Sequence, residues 1–421
     1  MGKVILEDSQ NTRMKTTIGA ISNVVAGGTP STKVREYWQN GTIPWMRSGE
    51  VNLRRIYDVE GRITELGLGN SNATLIPQDS ILVALAGQGK TRGTVAINKI
   101  SLTTNQSVAA IIPDKEIVDI EYLFFDLDRR YNELRRLSTG DGGRGGLNIS
   151  LIQSISLLLP PLPEQRKIAE ILGTWDEAIR LTADLIAAKQ QRKKGLMQRL
   201  LTGEVRFPGF GPEHSPKKSS LEVPQGWDLV RMDSVAEINA RSLGSTIQDG
   251  EEFLYIDLSA VDKGKIEFPS VTIPAKNLPS RARRILQFGD VIMATVRPNL
   301  QAYAVCDFDP SGYLCSTGFA VISPYNPADT QFIYQSLYGL SIQSQLQSLL
   351  TGSNYPAVNA SDVAALKLVW PQNEMERSKI SRVLFACDRE IDLLQQKHAA
   401  LQQQKKGLMQ RLLTGQVRVK V

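Results

Sequence analysis

The eleven residues KKGLMQRLLTG occur twice, from Lys193 to Gly203 and, 212 positions later, from Lys405 to Gly415. Sliding the chain over itself by 212 extends the match without a gap over residues 161–206 against 373–418. Glu164, Lys167, Ile168, Leu172, Asp176, Ile179 and Leu181 meet the same residue types at Glu376, Lys379, Ile380, Leu384, Asp388, Ile391 and Leu393. Val205-Arg206 returns as Val417-Arg418. A repeat of this length constrains the whole architecture, because whatever lies between the copies is then expected to repeat as well.

Each copy reads as one long helix. Ile380, Leu384, Cys387, Ile391, Leu394, His398, Leu401, Lys405, Leu408 and Leu412 fall at alternating spacings of four and three, which is a heptad seam. Ile168, Leu172, Trp175, Ile179, Thr182, Ile186, Lys189, Lys193, Leu196 and Leu200 follow the same track. Prolines in PPLPEQ mark the first helix start, and Asn373 is placed to cap the second. Gly203 and Gly415 stand where each helix should stop. About 40 residues at roughly 1.5 Å each give a rod of about 60 Å. So narrow an apolar stripe needs a partner, and the other copy, running antiparallel, is the expected one.

The segments between the helices repeat more faintly. DSILVALAG from Asp79 aligns with DVIMATVRP from Asp290, and TNQSVAAIIP with CSTGFAVISP, both at an offset of 211. These short β-rich runs broken by Gly and Pro predict compact sheet domains with a few helices. The fold class expected is therefore α+β: two similar domains of mixed sheet and helix, joined by two long helices in an antiparallel coiled coil. The predicted boundaries are a first domain over 1–160, a central helix over 161–206, a linker over 207–227, a second domain over 228–371 and a C-terminal helix over 372–421.

Most catalytic readings fail on the residues. LAGQGKTRG lacks the first Gly of a phosphate-binding loop, because Ala84 stands there, and RGTVAI continues as a strand instead of a helix. The chain has two histidines, His214 in the linker and His398 on the seam, so a Ser–His–Asp triad or a histidine metal site is not expected. No Asn/Asp-Pro-Pro-aromatic string of an aminomethyltransferase occurs, nor a nuclease cluster, and Glu50 and Glu60 have no partner pattern for acid/base work. Cys306, Cys315 and Cys387 are too few and scattered for a disulfide frame, which points to a reducing compartment. The N-terminus shows no secretory signal and no apolar run spans a bilayer, so a cytoplasmic protein with no membrane partner is expected.

A net charge of +6 permits nucleic-acid binding. The loops able to supply it are rich in Arg, Lys, Asn and Gln, which suit phosphates and base edges. In the first domain they carry Arg47 and Ser48, then Gln88, Lys90, Thr91 and Arg92, then Arg144. In the second they carry Arg241, then Arg281, Arg283 and Arg284, then Arg297, Asn299, Gln301 and Tyr303. Gln88–Arg92 and Arg297–Gln301 follow equivalent strands, which lifts these two above the rest.

At this point the chain resembles the specificity subunit of type I restriction–modification systems, over essentially its whole length. The pieces that carry the resemblance are STG with LPPLPEQRKIAEIL before the first helix, KKGLMQRLLTG closing each helix, and VPQGWDLVRMDSVAEI opening the second domain. The second helix start, PQNEMERSKI, loses a proline and the Glu-Gln pair, and the first domain lacks the Gly-Trp opening. The resemblance implies two target-recognition domains in a pseudo-twofold repeat, each reading one half of an asymmetric, bipartite site in double-stranded DNA. It implies no catalysis and no metal or cofactor on this chain. Two modification subunits would methylate adenine with S-adenosylmethionine, and restriction subunits would join them. At roughly 3.4 Å per base pair, the rod would let the domains address grooves more than one turn apart. The exposed helix faces, with Arg192, Gln198, Arg199, Gln404, Gln410 and Arg411, would dock the modification subunits. The alternatives on the residues are a coiled-coil scaffold that binds only protein, a recognition module without a nuclease, and a DNA-modifying enzyme with fused specificity.

Overall fold

The computed structural model describes residues 13–87, 89–137, 146–211, 223–244, 250–350 and 356–420. Gln88, Arg144 and His214 lie outside them. The chain forms two compact units, one comprising the chain up to Ala183 together with Lys397 onward, the other Asp184–Gln396. Both dividing points fall inside the long helices, which run over Leu162–Leu200 and Glu374–Leu413. Each unit therefore owns half of each helix.

In the first unit a five-stranded sheet is ordered Ser22–Ala26, Val108–Pro113, Ile81–Ala84, Val95–Asn98 and Arg55–Ile56. All four residues of Ile81–Ala84 and of Val95–Asn98 are buried, because both faces of the sheet are covered. Alternate side chains feed two cores. Ile81, Val83, Ala109 and Ile111 meet Tyr122 and Phe124 of the helix Ile120–Arg129. Leu82, Ala84, Val108 and Ala110 meet Met46, Val51 and Ile56 on the other face.

The second unit repeats this frame with a four-stranded sheet, ordered Ala236–Ile238, Phe319–Pro324, Val291–Ala294 and Tyr303–Val305. Val291, Met293, Ala320 and Ile322 face the helix Thr330–Leu337, and Ile292, Ala294, Phe319 and Val321 face Ile256 and Cys315. The pairing corrects the sequence alignment. Ile81 opposes Ile111 and Val291 opposes Ile322, so Ile81 corresponds to Val291, an offset of 210 rather than 211. A slip of one residue would turn every strand side chain to the other face, so burial fixes the register.

The heptad reading is borne out: every seam position of both helices is buried or half-buried. Within each unit the helix halves run antiparallel. In the second, Lys189 pairs with Glu390, Lys193 with Asp388 and Arg206 with Glu376, partner numbers rising as the first set falls. In the first, Asp176 pairs with Lys405 and Glu164 with Arg418. Each domain core is completed by the start of one helix and the end of the other. Ile168 and Leu172 join Met409, Leu412 and Leu413, and Ile380 and Leu384 join Leu200 and Leu201.

The helix ends behave as the sequence implies. Asn373 Oδ1 accepts from the Met375 amide at 2.9 Å. At the far end Gly203 (φ 68°) and Gly415 (φ 80°) turn left-handed, and the amides of Val205 and Val417 donate back to the carbonyls of Arg199 and Arg411. A Cβ at Gly203 would stand 2.6 Å from Pro224, so space as well as backbone geometry requires glycine. No described helix is long and apolar enough to cross a membrane.

Candidate nucleic-acid interface

One end of each sheet gathers most of the basic residues singled out in the sequence. In the first unit the strand Ile43–Met46 ends at Arg47, and the strand Ile81–Ala84 ends at the loop carrying Lys90, Thr91 and Arg92. The turn between Thr104 and Val108 holds both exits together. The Asn105 amide donates to the Met46 carbonyl at 3.1 Å, and the Leu85 amide donates to the Ser107 carbonyl at 2.8 Å. Arg47 and Lys90 are exposed, and Ser48, Thr91 and Arg92 are half-buried.

The Lys90 loop is pinned from one side. The Tyr131 hydroxyl donates to the Lys90 carbonyl at 2.8 Å, and Arg135 Nη1 donates to the Gly89 carbonyl at 2.6 Å. Gly87, Gly89 and Gly93 all take positive φ, which lets the chain reverse within nine residues and present the Lys90 side chain outward. After Thr94 the chain enters the strand Val95–Asn98, as RGTVAI implied. Arg135, which orders the loop, was not singled out in the sequence, where it reads as one arginine in a charged helix.

In the second unit the strand Val291–Ala294 leads to the equivalent loop. The Thr295 amide donates to the Gly318 carbonyl at 2.8 Å, and the neighbouring Thr317 amide donates to the Arg281 carbonyl at 2.8 Å. The exposed Arg281 is thereby placed at the same end as Arg297. Arg297 (φ 50°) and Gln301 (φ 59°) bracket a single tight turn, Pro298–Leu300, with left-handed backbone at both. Each such non-glycine residue costs on the order of 1–2 kcal/mol, and the surrounding contacts hold them there. The Arg297 amide donates to Pro356, Gln301 Nε2 donates to Gln343 Oε1 at 3.1 Å, and the Tyr303 hydroxyl donates to Pro298 at 2.8 Å. Arg297 and Asn299 emerge exposed.

Other candidates sit elsewhere. Tyr303, expected in an exposed loop, is a core side chain with no solvent exposure, because its strand turns it toward Tyr338, whose ring lies edge-on at 5.2 Å. Arg241 is half-buried and donates to Asp290 at 3.1 Å and to Ser323 at 3.1 Å, which ties strands together near the start of Val291–Ala294. Arg283 and Arg284 are half-buried on the strand Ala282–Ile285. On the helices, Arg192, Gln198, Arg199, Gln404, Gln410 and Arg411 are all exposed.

Burial pushes the Cys306 thiol up to about 12 and raises the Tyr303 hydroxyl as well, so both stay protonated at neutral pH. Among the described residues no cluster of His, Cys, Asp and Glu is arranged to hold a metal ion.

Duplicated α+β domains on a shared antiparallel helix pair, with pinned basic loops at corresponding sheet ends, define a recognition protein. The chain belongs to the type I restriction modification DNA specificity domain family, which it matches twice, over residues 12–189 and 224–403. It is 27% identical over 347 residues to the type I restriction enzyme MjaVIII specificity subunit of Methanocaldococcus jannaschii, covering 80% of this chain and 79% of that one. It is 30% identical over 232 residues to the MjaIX specificity subunit of the same organism, covering 53% of this chain and 51% of that one. The type I system S subunit from M. genitalium shares the fold, with a TM-score of 0.60 and 14% identity over 97% of each chain. The specificity subunit is the recognition component of such systems and carries no catalysis of its own.

Proposed function

We propose that the protein reads a two-part asymmetric site in double-stranded DNA, one half per unit, and assembles with modification subunits that methylate adenine and with restriction subunits. The observation that carries this reading is the recurrence of one frame with two differently built basic loops at the same place: Lys90 between glycines, and Arg297 and Asn299 on a left-handed turn. One scaffold with two reading heads suits a site whose halves differ. The exposed helix faces around Arg192, Gln198 and Arg199, and their repeats at Gln404, Gln410 and Arg411, would seat two copies of a modification subunit. S-adenosylmethionine would then be held by those subunits.

The test is binding and methylation of duplexes with the purified chain, alone and with its modification subunit. The chain alone should bind DNA with log K falling against log salt and should transfer no methyl group. In the complex, Lys90→Ala should weaken selection of one half-site about ten-fold or more and leave the other unchanged, with Arg297→Ala giving the converse pattern. Methyl transfer by the chain alone, or equal loss at both halves for each variant, would refute the reading.

A further inference from the structure

Beside the loops described above, the first unit has an open groove of about 490 Å³ lined by Thr32, Arg35, Trp38, Gln39, Trp45 and Arg47. Only Arg47 of these was singled out in the sequence. The two indoles form its apolar wall, edge to face at 4.9 Å between ring centroids. Each indole N–H is already used: Trp38 Nε1 donates to the Ser31 carbonyl at 3.1 Å, and Trp45 Nε1 donates to the Gly28 carbonyl at 3.0 Å. The rings are thus fixed, Trp45 in a small core with Ile43 and Ile63 and Trp38 half-buried against it along the groove.

The charged rim is built differently. Arg35 and Arg47 are exposed, and neither guanidinium forms an ion pair among the described residues. Gln39 is exposed between them in the sequence. The Gly28 carbonyl that fixes Trp45 belongs to the strap whose Gly28 amide donates to Thr104 at 2.8 Å, on the same turn that joins the Arg47 and Lys90 segments. The groove therefore opens at the sheet end that carries the Lys90 loop.

The second unit has the same backbone with other chemistry. Trp45 opposes Thr103 and Tyr255 opposes Leu314 in equivalent parallel pairs, so Arg47 corresponds to Asp257, each heading a 3₁₀ turn. The Asp257 carboxylate is taken up in its own turn, accepting from the Ser259 and Ala260 amides at 2.8 Å and 3.1 Å, whereas the exposed Arg47 borders the groove. Arginine matches guanine O6 and N7.

We propose that this groove is a specificity-determining site of the first unit: it takes the major-groove edge of duplex DNA at a guanine-bearing step, read by Arg35 and Arg47. The tryptophan wall excludes water and gives apolar contact to a neighbouring thymine methyl. The inference rests on the DNA-reading function proposed above and adds residues and a base class to it.

The experiment is selection from a pool of duplexes with randomised positions by the complex of this chain with its modification subunit. Wild type, Arg35→Ala, Arg47→Ala and Arg297→Ala are compared, each first checked for an unchanged melting transition. The wild type should select guanine at a fixed position of one half-site. Arg35→Ala or Arg47→Ala should reduce that preference roughly ten-fold or more, with the other half-site unaltered, while Arg297→Ala leaves the guanine preference intact. If both groove variants keep the full preference and only lose affinity uniformly, with a salt slope smaller by about one, these arginines contact phosphate and the proposal is overturned. A wild-type complex that selects no sequence would overturn the DNA-reading function itself.

Discussion

The two units close their helix pairs with the same ion pair in unequal surroundings. Glu164 receives Arg418 in the first, and Glu376 receives Arg206 in the second, at positions related by the 212-residue repeat. In the second unit the pair is sealed: Arg206 and Glu376 are 5% and 1% exposed, and Trp227 Nε1 donates to the same carboxylate at 3.0 Å. In the first unit Arg418 is 36% exposed over a Glu164 that is 4% exposed. There Arg13 donates instead to the carbonyls of Leu413 and Leu412, at 2.9 Å and 3.1 Å. The Gly-Trp opening that the second domain has and the first lacks is therefore a structural lid on a buried carboxylate. The comparison shows that the repeat places the same clamp in both units, its arginine three residues past each identical string and its glutamate in the first turn of the other helix, whereas the segment entering each domain decides how dry the clamp is.

The most severe way to break this comparison is to remove the arginines. Arg206→Ala leaves the Glu376 carboxylate buried with Trp227 as its one side-chain partner among the described residues, and should lower unfolding stability by about 3–5 kcal/mol. Arg418→Ala leaves Glu164 beside water that can enter where Arg418 was already open, and should cost about 1–2 kcal/mol. Denaturant midpoints of the two variants measure the difference, and equal losses would mean that the exposure of the arginine is irrelevant.

A milder change isolates the lid. Trp227→Phe keeps an aromatic ring over Arg206, whose guanidinium carbon lies 5.6 Å from the indole, but deletes the N–H to Glu376. A loss of about 1–2 kcal/mol is expected, smaller than for Arg206→Ala because the bidentate arginine remains. If Trp227→Phe is silent while Trp227→Ala is not, the lid acts by packing alone.

These contrasts also mark what the sequence makes legible. The heptads are readable because burial along a paired helix has a fixed period, and each seam position from Ile168 to Leu412 is indeed turned inward. Gly203 and Gly415 are readable because only a residue tolerant of left-handed backbone suits such a stop. The clamp is not, since Glu164 finds its partner 254 positions away and nothing local in PLPEQ announces a buried charge. The strand offset was misjudged by one because short apolar runs such as ILVA and VIMA align equally well in either register; only the sheet decides. Arg47 stood out as a lone cation, but Arg35, Trp38 and Gln39 become part of one groove only once the Gly28 strap fixes Trp45. Tyr303 misleads for the opposite reason, as a polar aromatic in a loop-like string that the strand turns into the core.

Acid provides the finest test of the first clamp. Burial raises the Glu164 pKa, but the hydrogen bonds and charge of Arg418, with the Val419 amide and the charge of Arg13, together hold it below its ordinary 4.5. A group with a depressed folded pKa binds its proton more readily in the unfolded chain. Its contribution is thus complete above pH 4.5 and is lost as the pH falls through the folded value. Arg418→Gln removes the first-named of the groups that lower it, so both the contribution of Glu164 and its loss in acid should shrink in the variant. Unfolding midpoints of wild type and Arg418→Gln between pH 6 and pH 3 should therefore converge on acidification, by less than either substitution above. Parallel curves would show that Arg418 holds the first helix end by packing its stem and not by pairing its charge.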